Sequence, residues 1–248
     1  MWVRVWLGVV IAFASFAGPA FAQSPTAAHP PSPWQLSLGG GIALTQGNKD
    51  TSTYNASYNV TYAPHPRRTF RSDAFLIRGR TNGELSNDKF ALNVREEYRT
   101  SDRIFIYGQN QYARDRFKRI QYMVAPTGGV GLTAVDSERT KMTIDVGAGG
   151  VWEKNPYADI RASGAVTFNQ KVTQSISSTT TLTQGLRGLW KTEDLADAVY
   201  QLAVTAALGV NSHVQVKIEA IDTYNTKPTG SGIRKNDISM VFALVFRN

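Results

Sequence analysis

Residues 236–248 constrain this chain more than any other stretch. Ile238, Met240, Phe242, Leu244 and Phe246 occupy every second position, with Ser239, Val241, Ala243 and Val245 between them. Successive side chains of an extended strand point to opposite faces, so the five large apolar groups share one face. A strand at the end of a sheet exposes a row of unpaired backbone groups, and a sheet loses its edges only when its last strand pairs with its first. A C-terminal strand of this kind, with an aromatic near its end, predicts the closing strand of a transmembrane β-barrel. Phe242, Leu244 and Phe246 are then its assembly signal, read by the barrel-assembly machinery. Outer-membrane barrels usually finish on the aromatic itself; here Arg247 and Asn248 follow Phe246.

The other end of the chain predicts export. Arg4 precedes residues 5–16, apolar apart from Gly8 and Ser15, and Ala20-Phe21-Ala22 is a small-x-small site. This reads as a signal peptide over 1–22 with cleavage after Ala22. Its apolar run is shorter than the roughly 20 residues of a spanning helix. Residues 23–33, with Pro25, Pro30, Pro31 and Pro33, form a linker with nothing to bury, which leaves 34–248 for the barrel. The absence of cysteine excludes a disulfide-stapled fold, thiol catalysis and cysteine metal sites. A net charge of +8 suits an anionic lipid, sugar or nucleic acid, and export makes nucleic acid the least suited partner.

From Trp34 onward, alternation is punctuated by turn residues. In 51–62, Tyr54, Tyr58, Val60 and Tyr62 alternate with Thr53, Asn55, Ser57, Asn59 and Thr61. So uniform a polar face suits a water-facing lumen rather than a soluble core. Further strands are expected at 34–45, 70–81, 89–100, 103–113, 121–134, 141–153, 159–170, 179–191, 199–210 and 214–226, with turns at clusters such as Asn82-Gly83, Asn155-Pro156 and Asn211-Ser212. With the closing strand this makes about twelve, each long enough for a tilted membrane strand of about 9 to 11 residues. The expected fold is therefore all-β, an antiparallel up-and-down transmembrane β-barrel of about 12 strands in the cell outer membrane. Trp34, Tyr62, Tyr98, Trp152, Trp190, Tyr200 and Tyr224 fall near strand ends, as aromatic girdles require.

Several short stretches together resemble one family. They are Thr45-Gln46-Gly47-Asn48, Gly129-Val130-Gly131-Leu132, the run from Gly147 through Gly149 and Trp152 to Glu153, and Lys235-Asn236-Asp237 before the alternating strand. Their order and spacing resemble the salt-induced outer-membrane proteins, the family of domain of unknown function 481, over essentially all of 34–246. The resemblance implies an outer-membrane barrel and brings no activity, cofactor or catalytic residue.

The cost of a charge in lipid orients the strands. An Arg facing lipid at mid-membrane costs about 2 to 4 kcal/mol. In 89–100 that cost turns Arg95, Glu97 and Arg99 inward and Phe90, Leu92 and Val94 outward. The same reasoning places Arg78 and Arg80 in the lumen, leaving Phe75 and Ile77 for lipid, and adds Asp145, Arg161, Arg187, Lys217 and Glu219 to the inner face. Residues 103–113 mix polar and apolar groups on both faces and stay unassigned. A basic-leaning lumen favours small anionic solutes; the alternative is a lumen plugged by pairing of Arg with Glu.

Enzyme chemistry finds no constellation. His29, His65 and His213 lie in the linker and in turns, none beside a serine on a strand. No histidine pair has metal-ligand spacing, and the acidic turns at 136–139 and 193–197 read as solvated loops. The glycine runs lie within strands with no helix following, so they fail as phosphate loops and read as room for curvature or for an aromatic neighbour. The expectation is a monomeric channel or envelope structural protein, without cofactor, in contact with outer-membrane lipid. Two alternatives are a barrel enzyme acting on lipid and a soluble exported lipid-binding β-barrel.

Overall fold

The computed structural model describes residues 33–45, 51–211, 213–228 and 235–247. The signal peptide expected at 1–22, its cleavage at Ala22 and the linker up to residue 32 lie outside them. The strands are β1 (Trp34–Thr45), β2 (Thr51–His65), β3 (Arg68–Thr81), β4 (Glu84–Arg99), β5 (Ile104–Asp115), β6 (Ile120–Asp136), β7 (Thr140–Lys154), β8 (Arg161–Ser175), β9 (Thr180–Lys191), β10 (Asp194–Gly209), β11 (Val214–Asn225) and β12 (Asn236–Arg247). Each pairs antiparallel with its neighbours in sequence, and β12 closes on β1 through Ser37↔Arg247 to Gly40↔Leu244. Twelve strands in an up-and-down closed barrel is the expected fold. Three elements outrun their expected bounds by five residues: β4 begins at Glu84, β8 runs on to Ser175 and β10 begins at Asp194.

Both ends of the closing seam, Trp34 and Arg247, lie at one mouth, here called the terminal end; the hairpin at 82–83 marks the other, the far end. That hairpin is Asn82-Gly83 with φ of 51° and 81°. Positive φ at both central residues is the type I′ turn whose twist matches paired strands. Four terminal-end turns share another device, in which a side-chain oxygen accepts the backbone N–H three residues on. Ser101 Oγ accepts from Ile104 N (3.1 Å), Ser137 Oγ from Thr140 N (3.0 Å), Ser177 Oγ from Thr180 N (3.1 Å) and Asn211 Oδ1 from Val214 N (2.8 Å). Local bonds of this sort hold a turn without any packing around it.

The barrel is apolar outside. On β12, Met240, Phe242 and Phe246 are 63%, 60% and 58% exposed while Val241 and Val245 between them are each 7% exposed. The exposed row continues through Leu36 and Leu38 of β1, Val130 and Leu132 of β6, Val146 of β7 and Leu202 and Val204 of β10. Water would make this exterior untenable, and lipid makes it the stable arrangement. Aromatics edge the band. Trp34 stacks on Tyr62 at the terminal end with centroids 4.1 Å apart. At the far end Trp190 meets Tyr200 edge-on at 5.6 Å, its Nε1–H donating to the Tyr200 hydroxyl (3.1 Å). Trp152 and Trp190 lie flat because Gly150 and Gly188, two residues earlier on the same face, leave room: a Cβ there would sit 2.7 Å and 2.5 Å from the ring Cη2. An indole over a strand glycine restores the packing that glycine forfeits.

Candidate functional site: the inner wall of the barrel

Directly paired residues of antiparallel strands share a face, so the register assigns every inner position. β5, ambiguous in sequence, turns Phe105, Tyr107 and Gln109 inward, all buried, and Ile104, Ile106 and Gly108 outward. The inner aromatics explain the glycine-rich runs. Tyr107 pairs with Gly129, and Gly129 with Gly147 of β7. A Cβ at Gly129 would lie 2.9 Å from the Tyr107 hydroxyl and 2.6 Å from Gly147 Cα, and one at Gly131 would strike the Phe105 ring. These glycines give a flat floor on which β5 lays its rings.

Arg95 lies on the other side of that ring. Its guanidinium carbon is 3.8 Å from the Tyr107 centroid and 5.8 Å from that of Phe105. Its nitrogens donate to Glu97 Oε1 (2.8 Å), Gln109 Oε1 (3.0 Å) and Asp145 Oδ2 (2.9 Å). Glu97 also takes Arg71 Nη1 at 2.6 Å, and Asp145 accepts from Asn169 Nδ2 at 2.7 Å. The chain Arg71–Glu97–Arg95–Asp145–Asn169 thus ties β3, β4, β7 and β8 together through the interior. Both charges of the Arg95–Asp145 pair are nearly buried, with side chains 11% and 7% exposed. Such burial is tolerable only because further hydrogen bonds occupy the remaining donors and acceptors.

Two smaller groups complete the inner wall. In the far mouth Lys191 Nζ bridges Asp197 (3.0 Å) and Glu153 (3.4 Å), with Arg161 at 3.9 Å from Asp197. Beside them Ala125, Val151 and Ala165 pack as a small apolar cluster against Met123 and Leu189. On β11, Lys217 Nζ meets Glu219 Oε2 at 2.9 Å, and Thr205 donates to the same carboxylate at 3.2 Å. Lys171 and Arg187 stand apart. Both face inward, Lys171 paired with Thr143 and Gly185, Arg187 with Asn169 and Gln201, and both are exposed. Neither makes a hydrogen bond or ion pair among the described residues. Lys171 feels the charges of Arg71 and Arg187, with Glu97 and Asp73 opposing them.

The register puts Arg95, Glu97, Asp145, Arg187, Lys217 and Glu219 on the inner face. Arg99 follows on the row of Arg95 but sits exposed at the strand end, donating to the Asp102 carbonyl (3.4 Å). Arg161 lies at the far mouth, its side chain 58% exposed. Arg78 and Arg80 are a correction. Arg78 pairs with outward Tyr54 and Arg80 with Ser52 of the same row, while Ile77 pairs with inward Asn55 and Phe75 with Ser57. Both arginines therefore face outward, and Phe75 and Ile77 line the lumen. The reason lies earlier in the strand, where Arg71 and Asp73 are on the Phe75 row. Turning that row to lipid would expose Asp73 near the middle of the strand and Arg71 as well, whereas Arg78 and Arg80 near the far end cost about 0 to 1 kcal/mol outside.

Sequence reasoning missed Arg71, Lys171, Glu153, Lys191 and Asp197. Strand parity signals Lys191 and Arg71 once their strands are oriented. Lys171 fell just past the expected end of its strand at residue 170. Of the histidines, His65 accepts the Arg67 N–H at Nδ1 (3.2 Å) in one terminal-end turn, His213 lies in another, and His29 lies outside the described residues. Among the described residues no cluster of His, Asp and Glu could hold a metal ion.

A closed sheet with an apolar exterior, aromatic girdles and an ion-paired interior defines a transmembrane β-barrel. The chain belongs to the family described as protein of unknown function, DUF481, whose model matches residues 39–247. Among its relatives is the uncharacterized protein YdiY of Escherichia coli (strain K12), 24% identical over 222 residues that span 83% of this chain and 79% of that protein. Among solved structures the NanC porin superposes with a TM-score of 0.51 at 12% identity, covering 86% of this chain and 98% of the porin. The COG4313 outer membrane channel from Pseudomonas putida F1 gives a TM-score of 0.47 at 12% identity, covering 91% and 98%. The likeness to the porin is one of fold.

Proposed function

We propose that this barrel is a monomeric outer-membrane channel for small anionic solutes, inserted by the barrel-assembly machinery and without catalytic activity. One observation carries the reading: Lys171 and Arg187 face the lumen without an ion pair among the described residues, two cations against the single unpaired central carboxylate of Asp73, which accepts only from Asn93, while Arg71, Arg95 and Lys217 are matched by Glu97, Asp145 and Glu219. An unpaired cation in a narrow, low-dielectric passage raises the local concentration of anions. The porin-like fold supports it. The test is single-channel recording of the refolded chain in a planar bilayer under a salt gradient. The expected result is discrete conductance with a reversal potential on the anion side; cation preference would overturn the reading.

A second reading has its own observation. The Arg95–Asp145 bridge joins β4 to β7, three strands apart, through the interior rather than along the wall. If that chord seals the passage, the barrel is an envelope structural protein and the wild type conducts at no voltage.

A further inference from the structure

The two outward arginines need an explanation, because nothing among the described residues neutralises them. Arg78 lies directly across from Asp88 in the β3–β4 pair. Asp88 is engaged by Arg114 Nη2 at 3.0 Å and is the more buried partner, at 14% exposure against 50% for Arg114. Arg114 shares the outer row with Phe90, its direct partner on β4. Arg116 opens the adjoining turn, its N–H bonded to the Asp88 carbonyl (3.1 Å). Arg78 and Arg80 are exposed and make no hydrogen bond or ion pair among the described residues. Two outward guanidinium groups, Arg78 and Arg114, thus flank one carboxylate that is already occupied, and Arg80 follows on the same outer row.

Their level on the barrel is set by aromatics. Tyr54 is the direct partner of Arg78, and Phe90, in contact with Tyr112 at 5.9 Å, is the direct partner of Arg114. Arg78 and Arg114 therefore stand level with an aromatic band at the far end and Arg80 just beyond it, where rings with a polar tip favour the headgroup zone. Arg78 and Arg80 there cannot turn into lipid and meet no carboxylate among the described residues. A guanidinium presents a planar fork of donors matched to phosphate oxygens. We infer that this patch on β3–β5 binds the phosphate of an anionic lipid headgroup, with Arg78, Arg80 and Arg114 as the donors and Tyr54, Phe90 and Tyr112 bearing on the upper part of the acyl chains. The site lies on the exterior, so it stands whether or not the barrel conducts.

The full chain, refolded in zwitterionic detergent, is titrated with phosphatidic acid and bound lipid is counted by native mass spectrometry. Phosphatidylcholine and inorganic phosphate serve as parallel probes. The wild type should retain phosphatidic acid in preference to phosphatidylcholine, and inorganic phosphate should displace it poorly, since the chains contribute too. R78Q/R80Q/R114Q should lose about tenfold or more in affinity, as expected for the loss of charge-assisted contacts. R78Q/R80Q, which leaves the Arg114–Asp88 pair intact, should fold normally and lose a smaller part, so the test survives if the triple variant misfolds. Equal retention of phosphatidylcholine by the wild type, or undiminished phosphatidic acid on R78Q/R80Q, would overturn the assignment. Inorganic phosphate that competes as well as the lipid would show an adventitious anion site only, and would overturn it too.

Discussion

Arg95 shows how a charge can be held inside a barrel of this size. It spends its donors on Glu97, Gln109 and Asp145 and stacks on a tyrosine whose far side rests on glycine. Removing one partner of a buried pair costs more than removing both, because the survivor keeps its desolvation penalty. Arg95→Met should therefore destabilise the refolded barrel by about 3 kcal/mol, the low end for such a change, since Asn169 and Arg71 still serve the two carboxylates. The double variant Arg95→Met, Asp145→Leu should recover most of that loss. Urea midpoints read from heat-modifiable gel mobility separate the two; a double variant no better than the single would refute the pair account. The floor beneath the ring is equally specific. Gly129→Ala would push a methyl against the Val146 carbonyl and Gly147 Cα, backbone atoms that cannot swing aside, at a cost of about 1 to 3 kcal/mol. A midpoint unchanged in Gly129→Ala would show that the strands separate freely there.

The elements were legible in proportion to how plainly their two faces differ. β12 and β2 alternate large apolar or aromatic groups with small or polar ones, and their orientation follows from the sequence alone. β5 alternates aromatics with amides and glycine on both faces, so only its neighbours' register decides that Tyr107 points in. β3 misled for a different reason: two arginines near its far end outweighed Asp73 near its middle and Arg71 toward the other end, although depth in the membrane gives the central charge the larger weight. Lys171 escaped because the expected strand stopped at residue 170, whereas β8 runs on through polar Thr173 and Ser175, which carry no apolar alternation to extend it. The closing strand carries the prediction proper to this scale. Phe246 pairs with Leu38 of β1 and Val214 of β11, so it sits at the seam where the sheet becomes a cylinder. Phe246→Asp forfeits about 2 to 3 kcal/mol of apolar burial in lipid and sets a carboxylate beside Leu38. Unfolded protein should accumulate in the periplasm, and normal membrane levels of the variant would dissociate closure from this residue.

At the scale of the whole barrel, inside and outside arginines must act differently, and that difference can be measured. The far mouth carries balanced groups, Lys191 and Arg161 with Glu153 and Asp197, and Lys118 with Asp237 at 3.0 Å, which attract neither sign strongly. Arg95 is matched by Glu97 and Asp145, and Lys217 by Glu219. Selectivity therefore rests on Lys171 and Arg187, offset in part by Asp73, since Arg71 and Arg95 together only balance Glu97 and Asp145. A unit charge about 4 Å from a passing ion is worth about 1 kcal/mol in bulk-like water, a factor of about five in preference, and more where the wall excludes water. K171Q/R187Q should cut the anion preference of the channel about fivefold or more while leaving its unfolding midpoint near that of the wild type, since neither side chain makes a hydrogen bond among the described residues. Raising the salt should shrink the wild-type preference in the same direction, because at 0.1 M screening acts over about 10 Å. R78Q/R80Q should leave selectivity untouched, its charges lying outside the wall. A reversal potential that moves with R78Q/R80Q and not with K171Q/R187Q would mean that the register-derived faces do not govern conduction, and the lumen reading would fall with them.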